Sequence, residues 1–496
     1  MEQLDERVVP TVTLTALSNV ADTPSGFGTS GSLRYCIEFA NASSDHNIII
    51  NLSPGGVYNL TRANTLLGVG SQENDNKVGD LDIQDKGHVV GTKTITIQST
   101  GLTAVIRQTT LDRVFQILSN NLLVNFRNVS ITGGIAVEDG TAVLPFTSDS
   151  KGGAILNSGG ASMTFKNVTL SGNVALGGDR APGANGFFFF HPDGFEGIDG
   201  AAAFGGAIYS TAGTISFATT QIQNNQALGG DGANGGNGAN APSNTGLDGG
   251  NGADGHRGGD GFGGAIYAET GVISFTQTSI LSNSAIGGKG GNGGNGGTGD
   301  AGPSNSPGGN GGNGGNTGAG GNAGGGGVYV QSATLTFSDK SPVRANIVQG
   351  GAGGNGGAGA VGGPNSFPQN PPAPDPSPST PAFGHGGFGG NGNNGGFAVG
   401  GGLFVESGDI TINAGSPIQL NSVVGGRGGD GGNGANAADG FDATVSGMIG
   451  GTAASGGDGG NAGDGGDADG GGLYVVTGNV VLNVGAAIAV GTNAVT

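Results

Sequence analysis

The chain has no tryptophan, one cysteine, and only 17 lysines and arginines among its 496 residues. Each scarcity excludes something. The single cysteine, Cys36, rules out an intramolecular disulfide, so no disulfide framework organises the fold. Set against 36 aspartates and glutamates, the few basic residues leave a formal net charge of -19. That balance excludes the basic footprint that nucleic acid or an anionic membrane surface requires. No stretch approaches 18 consecutive apolar residues, so no membrane-spanning segment is expected. Met1 to Pro10 is acidic where a secretory signal is basic and lacks an apolar stretch, so a standard signal peptide is not expected there. The five histidines, His46, His88, His191, His256 and His385, share no ligand spacing such as His-x-x-x-His. No phosphate-binding Gly-x-x-x-x-Gly-Lys-Ser/Thr loop occurs, since Lys289 is followed by Gly290.

Glycine is what the chain has, 115 residues of it, with 19 prolines and 34% hydrophobic residues. Such a composition ordinarily reads as low complexity. Here the apolar residues gather into short runs between glycine tracts, and the runs repeat. From residue 152 a unit of about 27 residues recurs six times, opening at Gly152, Gly205, Gly263, Gly325, Gly400 and Gly470. Each opening leads into an apolar strand, as in Gly205-Gly206-Ala207-Ile208-Tyr209 and Gly263-Gly264-Ala265-Ile266-Tyr267. A second strand alternates in period two, as in Ile215-Ser216-Phe217. A third segment pairs an aliphatic residue with an asparagine three positions on: Leu170 with Asn173, Ile222 with Asn225, Ile280 with Asn283, Val343 with Asn346, and Ile418 with Asn421.

The asparagine follows the opening glycine by 20 or 21 residues in all five, whatever the length of the insert between units. Each unit is therefore one structural coil, and three strands with one buried face each bury it by stacking. The expected fold is all-β: a right-handed parallel β-helix, a solenoid, with a short N-terminal capping helix. Asn173, Asn225, Asn283, Asn346 and Asn421 are expected to form a structural asparagine ladder without catalytic chemistry. The organisation expected is a leader and N-terminal cap over 1–46, N-terminal coils over 47–150, and six phased coils over 151–496. The coils are interrupted by inserts at 179–204, 231–262, 289–324, 352–399 and 427–469.

Four inserts run out, turn and return in triplets opened by glycine. Residues 229 to 240 read GGD GAN GGN GAN, for example. A three-residue glycine period suits extended helices with three residues per turn, so polyglycine II-like hairpins packed side by side are expected. Their tips include the proline-rich Pro364 to Pro381. The first insert differs, carrying Phe187, Phe188, Phe189 and Phe190, then His191 and Phe195. It is expected to fold back and cover a coil.

Ser32-Leu33-Arg34-Tyr35-Cys36-Ile37-Glu38-Phe39-Ala40-Asn41 resembles the N-terminal motif of bacterial exported right-handed β-helix proteins, Ser-Leu-Arg followed by a short helix. Leu33, Ile37 and Ala40 fall on one helical face, suited to capping the stack; Cys36 among them is expected to be buried. The repeat is similar to that of polymorphic outer-membrane proteins, with Gly-Gly-Ala-Ile intact at the units opening at 152, 205 and 263. The aromatic of their Phe-x-x-Asn motif is replaced by Leu, Ile or Val. The resemblance covers their repeats and not their barrel, which leaves two readings open: a fragment, or an open end paired with a partner, including end-to-end self-association at the C-terminal coil.

No catalytic residue and no cofactor is assigned. Gly249-Gly250-Asn251-Gly252-Ala253-Asp254 begins like a calcium-binding nonapeptide, but His256 stands where a large aliphatic residue is required. Asp254, Asp430, Asp458 and Asp464 are the candidate calcium ligands. The expected function is a structural or adhesive protein, extracellular or at the cell surface, contacting a glycan or protein partner through hairpin tips. Two alternatives are a pectate-lyase-like enzyme acting on polysaccharide, an analogy of fold, and a protein binding ice or a polymer surface through its regular triplets.

Overall fold

A computed structural model describes residues 11–63, 74–141, 148–303, 306–364, 383–437, 454–483 and 494–495. The leader, and all but the first residue of the proline-rich tip, lie outside these. Among the described residues the chain is nearly all β, with one helix and long parallel sheets. The helix, Leu33–Ala42, starts where the Ser32 hydroxyl accepts a hydrogen bond from the Tyr35 N–H, which satisfies one of the free amides of its first turn. It buries Leu33, Cys36, Ile37 and Ala40 against the first strands. Burial pushes the Cys36 thiol up to about 11, so it remains protonated and inert at neutral pH.

Each repeat unit lays its strands against the same strands of the next unit, in parallel and in strict register. In the largest sheet Ile155 pairs with Ile208, Ile208 with Ile266, Ile266 with Val328, Val328 with Leu403, and Leu403 with Leu473. A second sheet aligns Leu170, Ile222, Ile280, Val343 and Ile418. A third aligns Ala175, Ala227, Ala285, Val348 and Val423. Because equivalent residues superimpose, like packs on like. Phe126, Phe165, Phe217, Phe275 and Phe337 form one buried stack with ring centroids 4.6 to 5.2 Å apart. All six opening glycines adopt positive φ, between 61° and 67°, a conformation in which a β-carbon is strained. This backbone requirement explains their recurrence.

A second aromatic stack runs outside the main core through Tyr209, Tyr267, Tyr329, Phe404 and Tyr474, with centroids 4.5 to 5.6 Å apart. Phe204 and Phe262, at the roots of returning inserts, pack against it. The Tyr209 hydroxyl donates to Glu269, and Tyr329 donates to Glu406 at 3.2 Å. Burial, reinforced by these carboxylates, raises both phenol pKa values, which keeps the hydroxyls protonated as donors. The stack ties the bases of the inserts to the strands.

Candidate functional site

The glycine-rich inserts begin directly after the strands of the third sheet and return through short strands that form a fourth. Every residue of a triplet has a distinct partner. The first glycine donates to the equivalent arm of the next insert: Gly232 to Lys289 O, Gly290 to Ala352 O, Gly353 to Arg427 O, at 2.8 to 2.9 Å. The second donates across to the row of opposite direction: Gly291 to His256 O and Gly294 to Ala253 O, at 2.7 and 2.8 Å. The third residue donates to a side chain: Asn292 N–H to Asn234 Oδ1, Asn295 to Asn237, and Asn355 to Asn292, each 2.8 Å. All three amides of a Gly-Gly-Asn triplet are thereby satisfied without a β-strand. Outgoing arms form one row, returning arms the other, and the third positions of each row make a largely polar face, interrupted by exposed Val361 in the outgoing row and by Phe388 and Phe397 in the returning one.

Packing explains why two residues in three are glycine. A β-carbon at Gly290 would collide with the Gly318 carbonyl, and one at Gly291 with the Ala233 carbonyl. Neighbouring glycines late in the last insert differ sharply. A β-carbon at Gly466 would collide with the Gly396 carbonyl, whereas at Gly465 the nearest atom is Gly426 O at 3.6 Å. Gly466→Ala is expected to cost about 1–3 kcal/mol through overpacking. Gly465→Ala is expected to leave stability within about 0.5 kcal/mol. Urea unfolding of the two variants side by side checks this, and equal losses would contradict the packing assignment.

The first insert corrects the expectation that it covers a coil. It follows the same plan, with Gly183 donating to Asn234 O and Gly194 to Asn251 O, both 2.8 Å. Phe187 to His191 make its turn, and Phe189 and Phe190 are 82% and 94% exposed. Phe195 and Ile198 stand at second positions, where the next returning arm has Ala253 and His256. With bulky apolar residues after the opening glycines, the triplet pattern was hidden.

The five asparagines of the repeat lie in one buried line. Asn225 donates its backbone N–H and its amide to Asn283 Oδ1, both 3.0 Å, and its amide also reaches Leu170 O at 3.0 Å. Asn283 repeats this with Asn346 and Ile222 O, and Asn346 with Asn421 and Ile280 O. Asn173 joins through Asn225. The four calcium candidates do not converge. Asp254 Oδ1 accepts from Asn316 N–H at 2.6 Å, Asp430 lies 3.3 Å from Arg427, and Asp464 N–H donates to Asn394 Oδ1 at 2.8 Å. The Asp458 carbonyl accepts from Gly389 at 2.9 Å. Among the described residues no group of three or more His, Cys, Asp or Glu side chains is placed to hold a metal ion.

A groove of about 590 Å³ crosses the outgoing row, between the ladder of Asp179, Asp231 and Lys289 and that of Asn234, Asn292 and Asn355. A different polar cluster is buried near the N-terminus, where Asp80, Asp112 and Glu138 surround Arg113. Burial first, then Asp112 and Asp82, raise the Asp80 carboxyl well above its ordinary value. Burial lifts Asp112 to about 6 against the pull of Arg113. Sequence reasoning missed both the groove and this cluster. The recurring Asn or Asp at the third triplet position was the available signal for the first; the second assembles residues from distant segments with no shared motif.

No protein-family model and no curated protein matches the chain. Among solved structures, it is similar to a springtail antifreeze protein from Granisotoma rainieri, described as a nine polyproline type II helical bundle whose crystal waters match the ice lattice. The two are 23% identical, and the match covers 48% of this chain and 97% of that one, with a TM-score of 0.13.

Proposed function

We propose that this chain is a structural or adhesive display protein of the extracellular space or cell surface: a right-handed parallel β-helix from which polyglycine II-like hairpins project as a rigid slab. One observation carries the reading. The inserts are cross-bonded along and between their two rows, triplet by triplet, so glycine tracts that would otherwise behave as flexible coil form fixed faces lined with polar side chains. Rigid presentation lowers the ordering cost of contact with a partner. The faces, more than the tips, are the contact surface.

Amide hydrogen exchange tests the rigidity, with protection across 287–299 and 308–321 expected to approach that of the strands at 266–276. Exchange at free-peptide rates in those arms would sink the reading. Contact is tested by binding labelled protein to cell surfaces. The variant Gly291→Val/Gly294→Val, which breaks the arms and leaves the strands intact, is expected to bind at least tenfold more weakly. Equal binding by the two proteins would remove the slab from the function.

A further inference from the structure

We propose that the groove across the outgoing arms binds an uncharged, hydroxyl-rich linear polymer, a neutral polysaccharide laid along the ladder from the first insert toward the fifth. The inference rests on the display reading and names the ligand of one of its two faces.

Orientation is the first ground. Asn234, Asn292 and Asn355 each commit Oδ1 to the backbone N–H of the next arm, at 2.8, 2.8 and 3.0 Å. Their Nδ2 groups have no partner among the described residues. Pinning one end of each amide fixes the direction of the other, so three N–H₂ donors are held in one orientation at the spacing of neighbouring arms, about 4.8 Å. Preorganised donors of this kind bind without the entropy cost of freezing mobile side chains.

Charge is the second ground. In a chain of net charge -19, the groove is balanced: Asp179, Asp231 and Asp430 stand against Arg180, Lys289 and Arg427. A polyanion would meet the three acids and a polycation the three bases, whereas hydroxyl groups, which both donate and accept, are compatible with both signs. The third ground is the floor. Gly232, Gly290, Gly353 and Gly428 lie along the groove, with the Ala352 methyl its one apolar side chain, giving open length and no aromatic or extended aliphatic wall for an apolar ligand. A polyhydroxylated chain is the class that fits all three.

The test is retention of the full-length chain on cellulose, starch granules and agarose, with polygalacturonate as the anionic comparison. Retention is expected on at least one neutral polymer and not on polygalacturonate. Asn234→Asp/Asn292→Asp/Asn355→Asp keeps every Oδ1 acceptor, a role Asp179 and Asp231 already fill, and removes the donors. It is expected to bind at least tenfold more weakly with unchanged melting temperature. The matching change on the opposite face, Asn313→Asp/Asn316→Asp/Asn391→Asp, is expected to leave retention as it was. Loss in the opposite-face variant alone would overturn the groove assignment and leave the display reading standing. Absence of retention on all neutral polymers, or equal retention on polygalacturonate, would overturn the inference. The display reading is judged separately by its exchange and cell-surface measurements.

Discussion

Asn283→Asp is expected to destabilise the stack by about 3–5 kcal/mol at pH 7, the range for a buried charge left uncompensated, although it changes a single atom. The Asn283 amide donates to Asn346 Oδ1 at 3.0 Å and to Ile222 O at 3.1 Å, inside the ladder and away from water. A carboxylate there would set a charged oxygen against both of those oxygens. Its one relief is to hold a proton, so its pKa must rise. Stability is then fully present while the group is protonated in both states, and falls as pH increases through the unfolded value near 4. Urea unfolding at pH 4 and pH 7 should therefore show a loss that grows with pH. A pH-independent loss under about 1 kcal/mol, the worth of an ordinary hydrogen bond, would mean that the ladder is not buried. The same substitution at exposed Asn292, where only Oδ1 is used by the protein, is expected to be silent in stability. Two asparagines, one chemical change and opposite outcomes follow from which end of the amide the fold employs.

That contrast also marks how much could be read from the sequence. The spacing of Asn173, Asn225, Asn283, Asn346 and Asn421 from their opening glycines reveals the repeat because parallel strand pairing tolerates no drift in register: the strands of each repeat unit must meet those of the next whatever insert lies between. The opening glycines are legible for the same reason, since each sits at a positive φ that few other residues accept. In the inserts, the glycine period announces extended arms but does not identify their partners. The third-position asparagines work across arms that lie 58 to 75 residues apart in the chain, and nothing local in a Gly-Gly-Asn triplet specifies that distance. The first insert misleads because glycine opens its triplets at Gly183, Gly194 and Gly197 while Phe195 and Ile198 follow two of them, and the apolar pair looks like a different structure. Tyr209, Tyr267 and Tyr329 recur in phase in the sequence as well, yet only the fold shows that they lie outside the main core and hold the bases of the inserts.

Raising the pH from 4 to 8 is expected to weaken the N-terminal part of the stack, and Asp112→Asn to remove the share of that weakening that Asp112 contributes. Asp80 and Asp112 are buried beside one another with Asp82 and Glu138, and Arg113 is the cation among them. The Arg113 guanidinium pairs with Glu138 and lies 3.6 Å from Asp80. Arg34, the other buried arginine close by, is committed to Asp22 at 2.9 Å and to the backbone of residues 79 and 80. Carboxylates therefore outnumber the guanidinium available to them, and burial favours their neutral form. Asp112 at about 6 stands roughly two units above its ordinary value, which corresponds to about 3 kcal/mol. The sign follows from the direction. The folded state holds the proton more tightly than the unfolded chain, so nothing is lost below pH 4, stability falls between about pH 4 and pH 6, and the full cost persists above. Asparagine preserves an acceptor for the backbone N–H of Arg113, which donates to Asp112 Oδ1 at 2.8 Å, and carries no titrating proton. The variant should match the wild type at pH 4 and exceed it by up to about 3 kcal/mol at pH 8, read from exchange protection of residues 81–83 and 115–117. A wild type whose protection there is flat from pH 4 to pH 8, after correction for intrinsic exchange, would mean that Arg113 alone neutralises the cluster.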